Sequence, residues 1–306
     1  MSVSIRVMMV TPFGPEGTLD VEALRQHVDA IAAAGLDVFI GGSSPGQGYT
    51  LSAAETVRLY EVSREAAAGR IRVYASGFEP RQAGELIELA KVVADSGLDG
   101  MQVYSLDLGH GGRPGPREIE RYFRTVLDGV SLPVVLSTHE NMGYLVPPEV
   151  LSRLLADYPQ VQGLHVNTGQ MSYVLDAVRV AAAAPHPVTV HSGSVGYGFS
   201  AVALGADGFL SAEANLAPEL AAGVAEEWAR GEFDSYRRLC SLSPVLEFGS
   251  ATRGIKAAMR LLGRAGSELR EPLLALAEPE DRIVADALVR AGLMAGEGEG
   301  HVDDRY

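Results

Sequence analysis

The chain has 306 residues, 47% of them hydrophobic, and a net charge of −14 at neutral pH. That balance argues against nucleic acid and anionic membrane as partners. No window reaches the apolar length of a membrane span, and one cysteine, Cys240, leaves no disulfide framework. The opening MSVSIRVMMV enters a strand-like run with no basic leader, so the expected location is the cytoplasm.

In chain order, residues 5–10 read as a strand and 19–34 as a helix, with Leu24, Val28 and Ile31 at helical spacing and Gly35 at its end. A strand over 37–41 leads through Gly42-Ser43-Ser44-Pro45-Gly46 to a helix capped at Ser52, with Glu55 three residues on. Further strands are predicted at 71–76, 100–104, 133–137, 161–166, 188–191 and 208–211. The intervening helices are 82–96, 117–128, 147–157, 171–184 and a turn near Ser200. Eight strands alternating with helices indicate an α/β fold, a parallel (β/α)8 TIM barrel over 1–217. From Pro218 the pattern is helical, at 219–230, 233–240, 255–262 and 282–291, giving a small C-terminal all-helical domain over 218–294. The acidic tail, 295–306, is expected to be disordered.

Several stretches resemble the dihydrodipicolinate synthase / N-acetylneuraminate lyase family of aldolases, over roughly residues 7–293. They include Val10-Thr11-Pro12-Phe13, Thr50-Leu51-Ser52, Leu132-Pro133-Val134, Leu204-Gly205-Ala206-Asp207-Gly208, Asn215-Leu216-Ala217-Pro218-Glu219 and the run from Lys256 to Gly263. The resemblance implies the same barrel, a homotetramer or homodimer, and a 2-oxo-acid substrate bound as a Schiff base to a lysine on the sixth strand. Here the matching stretch is Val161 to Gly169, and the lysine position is His165. The two lysines, Lys91 and Lys256, match family lysines on outer helices, and neither ends a strand. The family's tyrosine on the fifth strand aligns with Ser137, and its substrate-binding arginine is lost in Thr138-His139-Glu140-Asn141-Met142. No Schiff base is therefore expected. The family's carboxylate loop aligns with Ser43 and Ser44, and its seventh-strand glycine with Gly193; the Ser-Ser-Pro-Gly run also reads as a plain turn.

Strand side chains alternate, so one anchored residue sets the facing of its neighbours. With His165, Ser137 and Gly193 inward, His139 and His191 also face in, bringing three histidines to the mouth. Glu140, Glu79 and Glu213 stand nearby, Glu213 one residue off the inward register. Three readings stay open. His139, His165, His191 and Glu213 suit Zn²⁺, Mn²⁺ or Fe²⁺ as a divalent cofactor; metal-free imidazoles suit acid–base work; and buried histidines also serve as packing. Tyr104 ends the fourth strand, and the loop 108–115 brings His110 and Arg113 within reach as a lid or a surface loop. The glycine-rich run Ser192 to Gly198 reads as an anion-friendly loop. The expected function is a lysine-independent lyase, cleaving a carbon–carbon or carbon–oxygen bond of a small carboxylate substrate. A metal-dependent hydrolase or decarboxylase and a non-catalytic binding homologue are the alternatives.

Overall fold

Short aliphatic runs form eight parallel strands in the computed structural model, which describes residues 3–295. They are β1 (Ser4–Met8), β2 (Asp37–Ile40), β3 (Val73–Ala75), β4 (Gly100–Val103), β5 (Val134–His139), β6 (Val161–Asn167), β7 (Thr189–Ser192) and β8 (Gly208–Ser211). Each pairs with the next and β8 closes on β1, which makes a barrel without edges. The α/β reading and the (β/α)8 barrel are thus the observed architecture. The tail residues 296–306 lie outside the described residues.

Seven helices cover the outside: α1 (Val21–Ala33), α2 (Ala53–Ala67), α3 (Ala83–Asp95), α4 (Pro116–Asp128), α5 (Pro148–Asp157), α6 (Met171–Ala182) and α7 (Val195–Ala203). Their starts are locally encoded. Asp20 accepts a hydrogen bond from Ala23 N to open α1, and Ser52 with Glu55 forms a complete capping box on α2. The glycine-rich run after β7 departs from the expected loop. Ser194 caps α7 by accepting from Gly196 N, and Gly196 and Gly198 lie inside the helix. The reason for Gly198 is packing: a Cβ there would come within 2.6 Å of the Phe209 ring.

Period-two alternation divides each strand between two cores. Outward residues such as Val7, Val38, Met101, Leu136 and Leu164 pack beneath the helices, while Met8, Phe39, Tyr74, Val135 and Leu210 fill the barrel interior. Asn215, in the turn after β8, ties the seam. Its Oδ1 accepts from Val10 N at 3.0 Å and from His27 Nε2 of α1 at 2.9 Å, and its Nδ2 donates to Met8 O at 2.7 Å.

Four helices follow: α8 (Pro218–Trp228), α9 (Asp234–Cys240), α10 (Ala251–Leu261) and α11 (Glu278–Arg290). They are fastened to the loops at the barrel mouth. The buried Lys256 ammonium on α10 donates to Thr11 O at 2.7 Å and to Gly266 O. Arg270 donates to Gly17 O at 2.6 Å and Thr50 O at 3.0 Å, pairs with Glu55, and lies over the Phe13 ring at 4.2 Å. The Arg270 guanidinium holds the Glu55 carboxyl down to about 2. Cys240 is a free, half-buried thiol. Among the described residues no helix is long and apolar enough to cross a membrane.

Burial pushes the His27 imidazole down to about 4 from its ordinary 6.5. Between those values the unfolded chain binds the extra proton, so stability falls as pH drops from 6.5, and the loss reaches about 3 kcal/mol by pH 4. Urea unfolding measured across pH 7.5 to 4.5 is expected to show this decline. The slope should be smaller in His27→Gln by up to about 1.4 kcal/mol per pH unit; equal slopes in the two proteins would remove His27 as the cause.

Candidate active site

Where the inward residues of β4 to β8 run out, a pocket of about 260 Å³ opens at the C-terminal end of the barrel. His165 and His139 form its inner wall, with Tyr104 and Asn167 beside them. Tyr104 stacks on His139 with ring centroids 5.1 Å apart, and His139 meets His165 edge-on at 4.7 Å. The imidazoles are fixed by amides. Ser76 Oγ donates to Gln102 Oε1 at 3.2 Å, which turns Gln102 Nε2 toward His165 Nδ1. Ser137 Oγ also contacts that nitrogen, at 3.1 Å. Asn167 Nδ2 likewise donates to His139 Nδ1 at 3.1 Å. A ring nitrogen that accepts carries no proton, so each neutral ring holds its proton on Nε2. Both Nε2 atoms are buried without a hydrogen-bond partner among the described residues.

Burial keeps these rings neutral. It pushes His139 down to about 4 and His165 well below its ordinary range, the latter helped by His139, His191 and Arg6. Burial acts in the opposite sense on the Glu213 carboxyl, which rises to about 7. Glu213 lines the pocket although it lies off the inward register. It belongs to a single helical turn after β8, where Ser211 Oγ donates to it at 3.0 Å. A carboxyl poised near neutrality that lines the same pocket as two imidazole N–H groups is an arrangement for moving protons.

The other expected residues divide. Ser44, Gly193 and Glu79 line the pocket, whereas Ser43 does not; its hydroxyl donates to Glu79 at 2.7 Å. Ser137 is buried behind His165 rather than at the surface of the pocket. Glu140 accepts from Thr168 Oγ1 at 2.6 Å and Gln170 Nε2 at 2.9 Å, outside the pocket. Arg113 reaches a neighbouring cavity, beside Glu140 and Tyr144. His191 needs a correction: it does not reach the mouth. The ladder from Ser137 through His165, His191 and Gly208 to Ser4 descends from mouth to floor, because strands in a barrel are staggered. His191 therefore lies below the pocket, with Nε2 3.2 Å from Ser4 Oγ. The expected set of three imidazoles and Glu213 is not brought together; among the described residues no three His, Cys, Asp or Glu side chains converge as metal ligands.

Among the described residues no lysine or arginine lines the pocket. Lys91 sits exposed on α3, paired with Glu88, and Lys256 is held on α10. Sequence reading missed Gln102 and Asn167. Both were findable by alternation, two residues before Tyr104 and two after His165.

The profile of the dihydrodipicolinate synthetase family matches residues 1–291. A 4-hydroxy-tetrahydrodipicolinate synthase of Gluconacetobacter diazotrophicus is 29% identical over 292 residues, covering 94% of this chain and 96% of that one. The same-named protein of Ralstonia nicotianae is 29% identical over 303 residues, with 94% and 97% covered. The solved dihydrodipicolinate synthase of Thermotoga maritima shares the fold with a TM-score of 0.88 at 23% identity, covering 96% of this chain and all 100% of that one. A prophage protein of E. coli K12, solved in complex with pyruvate, gives 0.86 at 24% identity, with 95% and 99% covered.

The amide network has a spectroscopic signature. Two-bond ¹H–¹⁵N spectra of the imidazole side chains are expected to show His165 and His139 as Nε2–H tautomers, with no titration from pH 8 to about 5. Protonated Nδ1 on either ring would overturn the arrangement.

Proposed function

The chain belongs to the dihydrodipicolinate synthetase family, and from that premise we propose that it is a lyase that works without a Schiff base. Its substrate is a small 2-oxo-acid-like carboxylate, and its intermediate is an enolate held by the N–H groups of His165 and His139. The observation that carries this reading is His165 itself. It occupies the β6 position where the family resemblance places the lysine, with its Nε2 buried and unpartnered at the pocket wall.

The chemistry follows from charge. Breaking the bond beyond C3 of a 2-oxo acid leaves an electron pair that a protonated imine would absorb. Without an amine, the pair moves onto the C2 oxygen as an enolate, which needs donors fixed in advance. Two neutral imidazoles locked as Nε2–H supply them, and because they are already neutral, they need shed no charge. Glu213 is the group for the proton. As carboxylate it takes the proton from the departing hydroxyl in a carbon–carbon cleavage, or from C3 in a carbon–oxygen elimination. After carbon–carbon cleavage it returns the proton to C3 of the enolate; in the elimination the enolate collapses, the C4–oxygen bond breaks, and Glu213 gives the proton to the leaving oxygen, which departs as water or an alcohol. The substrate carboxylate is placed against Ser44 and the N-terminus of α7 at Gly193-Ser194, where helix-end N–H groups stand in for the absent arginine.

Both reactions share proton exchange at C3, so the test needs no knowledge of the full substrate. In D₂O the protein is expected to exchange the methyl protons of pyruvate, followed by NMR. His165→Asn and His139→Asn should each slow exchange by roughly 10²–10³. Borohydride with pyruvate should leave the protein mass unchanged. Undiminished exchange in His165→Asn, a reduced adduct on a lysine, or no exchange by the wild type would overturn the proposal. The rate is expected to rise about tenfold per pH unit up to about 7 and then level, as Glu213 loses its proton. Glu213→Gln should abolish that limb; a limb that persists assigns the proton to another group.

A further inference from the structure

The floor of the barrel holds a second cavity, of about 310 Å³, at the N-terminal ends of the strands. It shares no lining residue with the pocket at the mouth. Its polar lining is Arg6, Arg72, Tyr74, Gln162, His186 and Thr189, and among the described residues no carboxylate lines it. In a chain of net charge −14 the lining thus holds two guanidinium groups and no facing acid among the described residues.

Arg6 is the central residue. It is only 4% exposed, and a guanidinium keeps its charge when buried. Its contact with Thr189 Oγ1 is long, at 3.5 Å, and its Nε is buried with no hydrogen-bond partner among the described residues. The acids nearby are committed elsewhere. Asp37, the neighbour of Arg6 across the β1–β2 ladder, accepts from Arg72 N and Arg72 Nε, both at 2.9 Å, and is 2.7 Å from Arg72 Nη2. Asp207 accepts from Val190 N at 2.7 Å. The Tyr74 ring lies 5.8 Å from the Arg6 guanidinium and 5.7 Å from that of Arg72, which places both charges at one wall. A buried cation without a counter-charge is costly, and the cavity offers room for one.

We propose that the barrel floor is a binding site for a small oxyanion, a phosphate, sulfate or carboxylate group, held by Arg6 with Arg72 and Thr189 beside it. The planar guanidinium fork matches two oxygens of such a group at once. His186 Nε2 is occupied by Val161 O at 2.8 Å, so the imidazole shapes the wall without donating that proton to the anion.

The test is binding to the full chain, read by thermal shift and calorimetry with inorganic phosphate, sulfate and malonate against sodium chloride at matched ionic strength. A saturable rise in Tm is expected with at least one of the three and not with chloride. Arg6→Met should abolish it. Arg72→Gln and Thr189→Val, at less buried positions, should weaken the apparent Kd by about tenfold or less each, and they carry the test if Arg6→Met does not fold. His165→Asn, at the opposite end of the barrel, should bind as the wild type does. No saturable shift, a shift undiminished in both Arg72→Gln and Thr189→Val, or one lost in His165→Asn would overturn the floor site.

Discussion

Closure of the strand ladder is the constraint on which the molecule depends. Once β8 pairs with β1, no strand can rotate or slip without breaking bonds on both sides. Every strand residue is then committed to the interior or to the helices. The interior is a stack: Arg6 and Thr189 at the floor, Met8, Phe39, Tyr74, Val135 and Leu210 above them, and His165, His139 and Asn167 at the mouth. Polar side chains thus gather at the two ends, with an apolar layer between them.

Burial determines the character of the mouth. The same desolvation that lowers His139 and His165 raises Glu213, so these three groups are neutral or close to it, with the Glu79 carboxyl at the rim of the same pocket. A neutral imidazole has no fixed tautomer of its own, and the amides of Gln102 and Asn167 impose one. These two side chains therefore belong to the site as much as the rings they orient. They act on whatever binds only through those rings.

The barrel was legible because its signals are local and repeated: apolar runs of strand length, a cap at Ser52, glycine after helices. Facing was legible too, since alternation carried His139 inward from Ser137. Height was not. Whether an inward residue reaches the mouth depends on stagger between strands, a property of the closed ladder that no single strand encodes, and His191 is the residue this misplaces. The run from Ser194 to Gly198 misled for a related reason: Gly198 answers to Phe209 on another strand and not to local flexibility. Ser43 looked available as a donor because Glu79, its partner, lies 36 residues away.

One further consequence follows from the absence of lysine and arginine among the described residues that line the pocket. A substrate carboxylate would be recognised there by dipoles alone, while the whole molecule, at −14, repels it from a distance. Such an enzyme captures its substrate against its own field. Added salt would screen that repulsion within about 10 Å at 0.1 M, and would leave the short-range dipolar grip largely intact. The encounter rate should then rise with ionic strength, the reverse of what electrostatic steering toward a cationic active site produces.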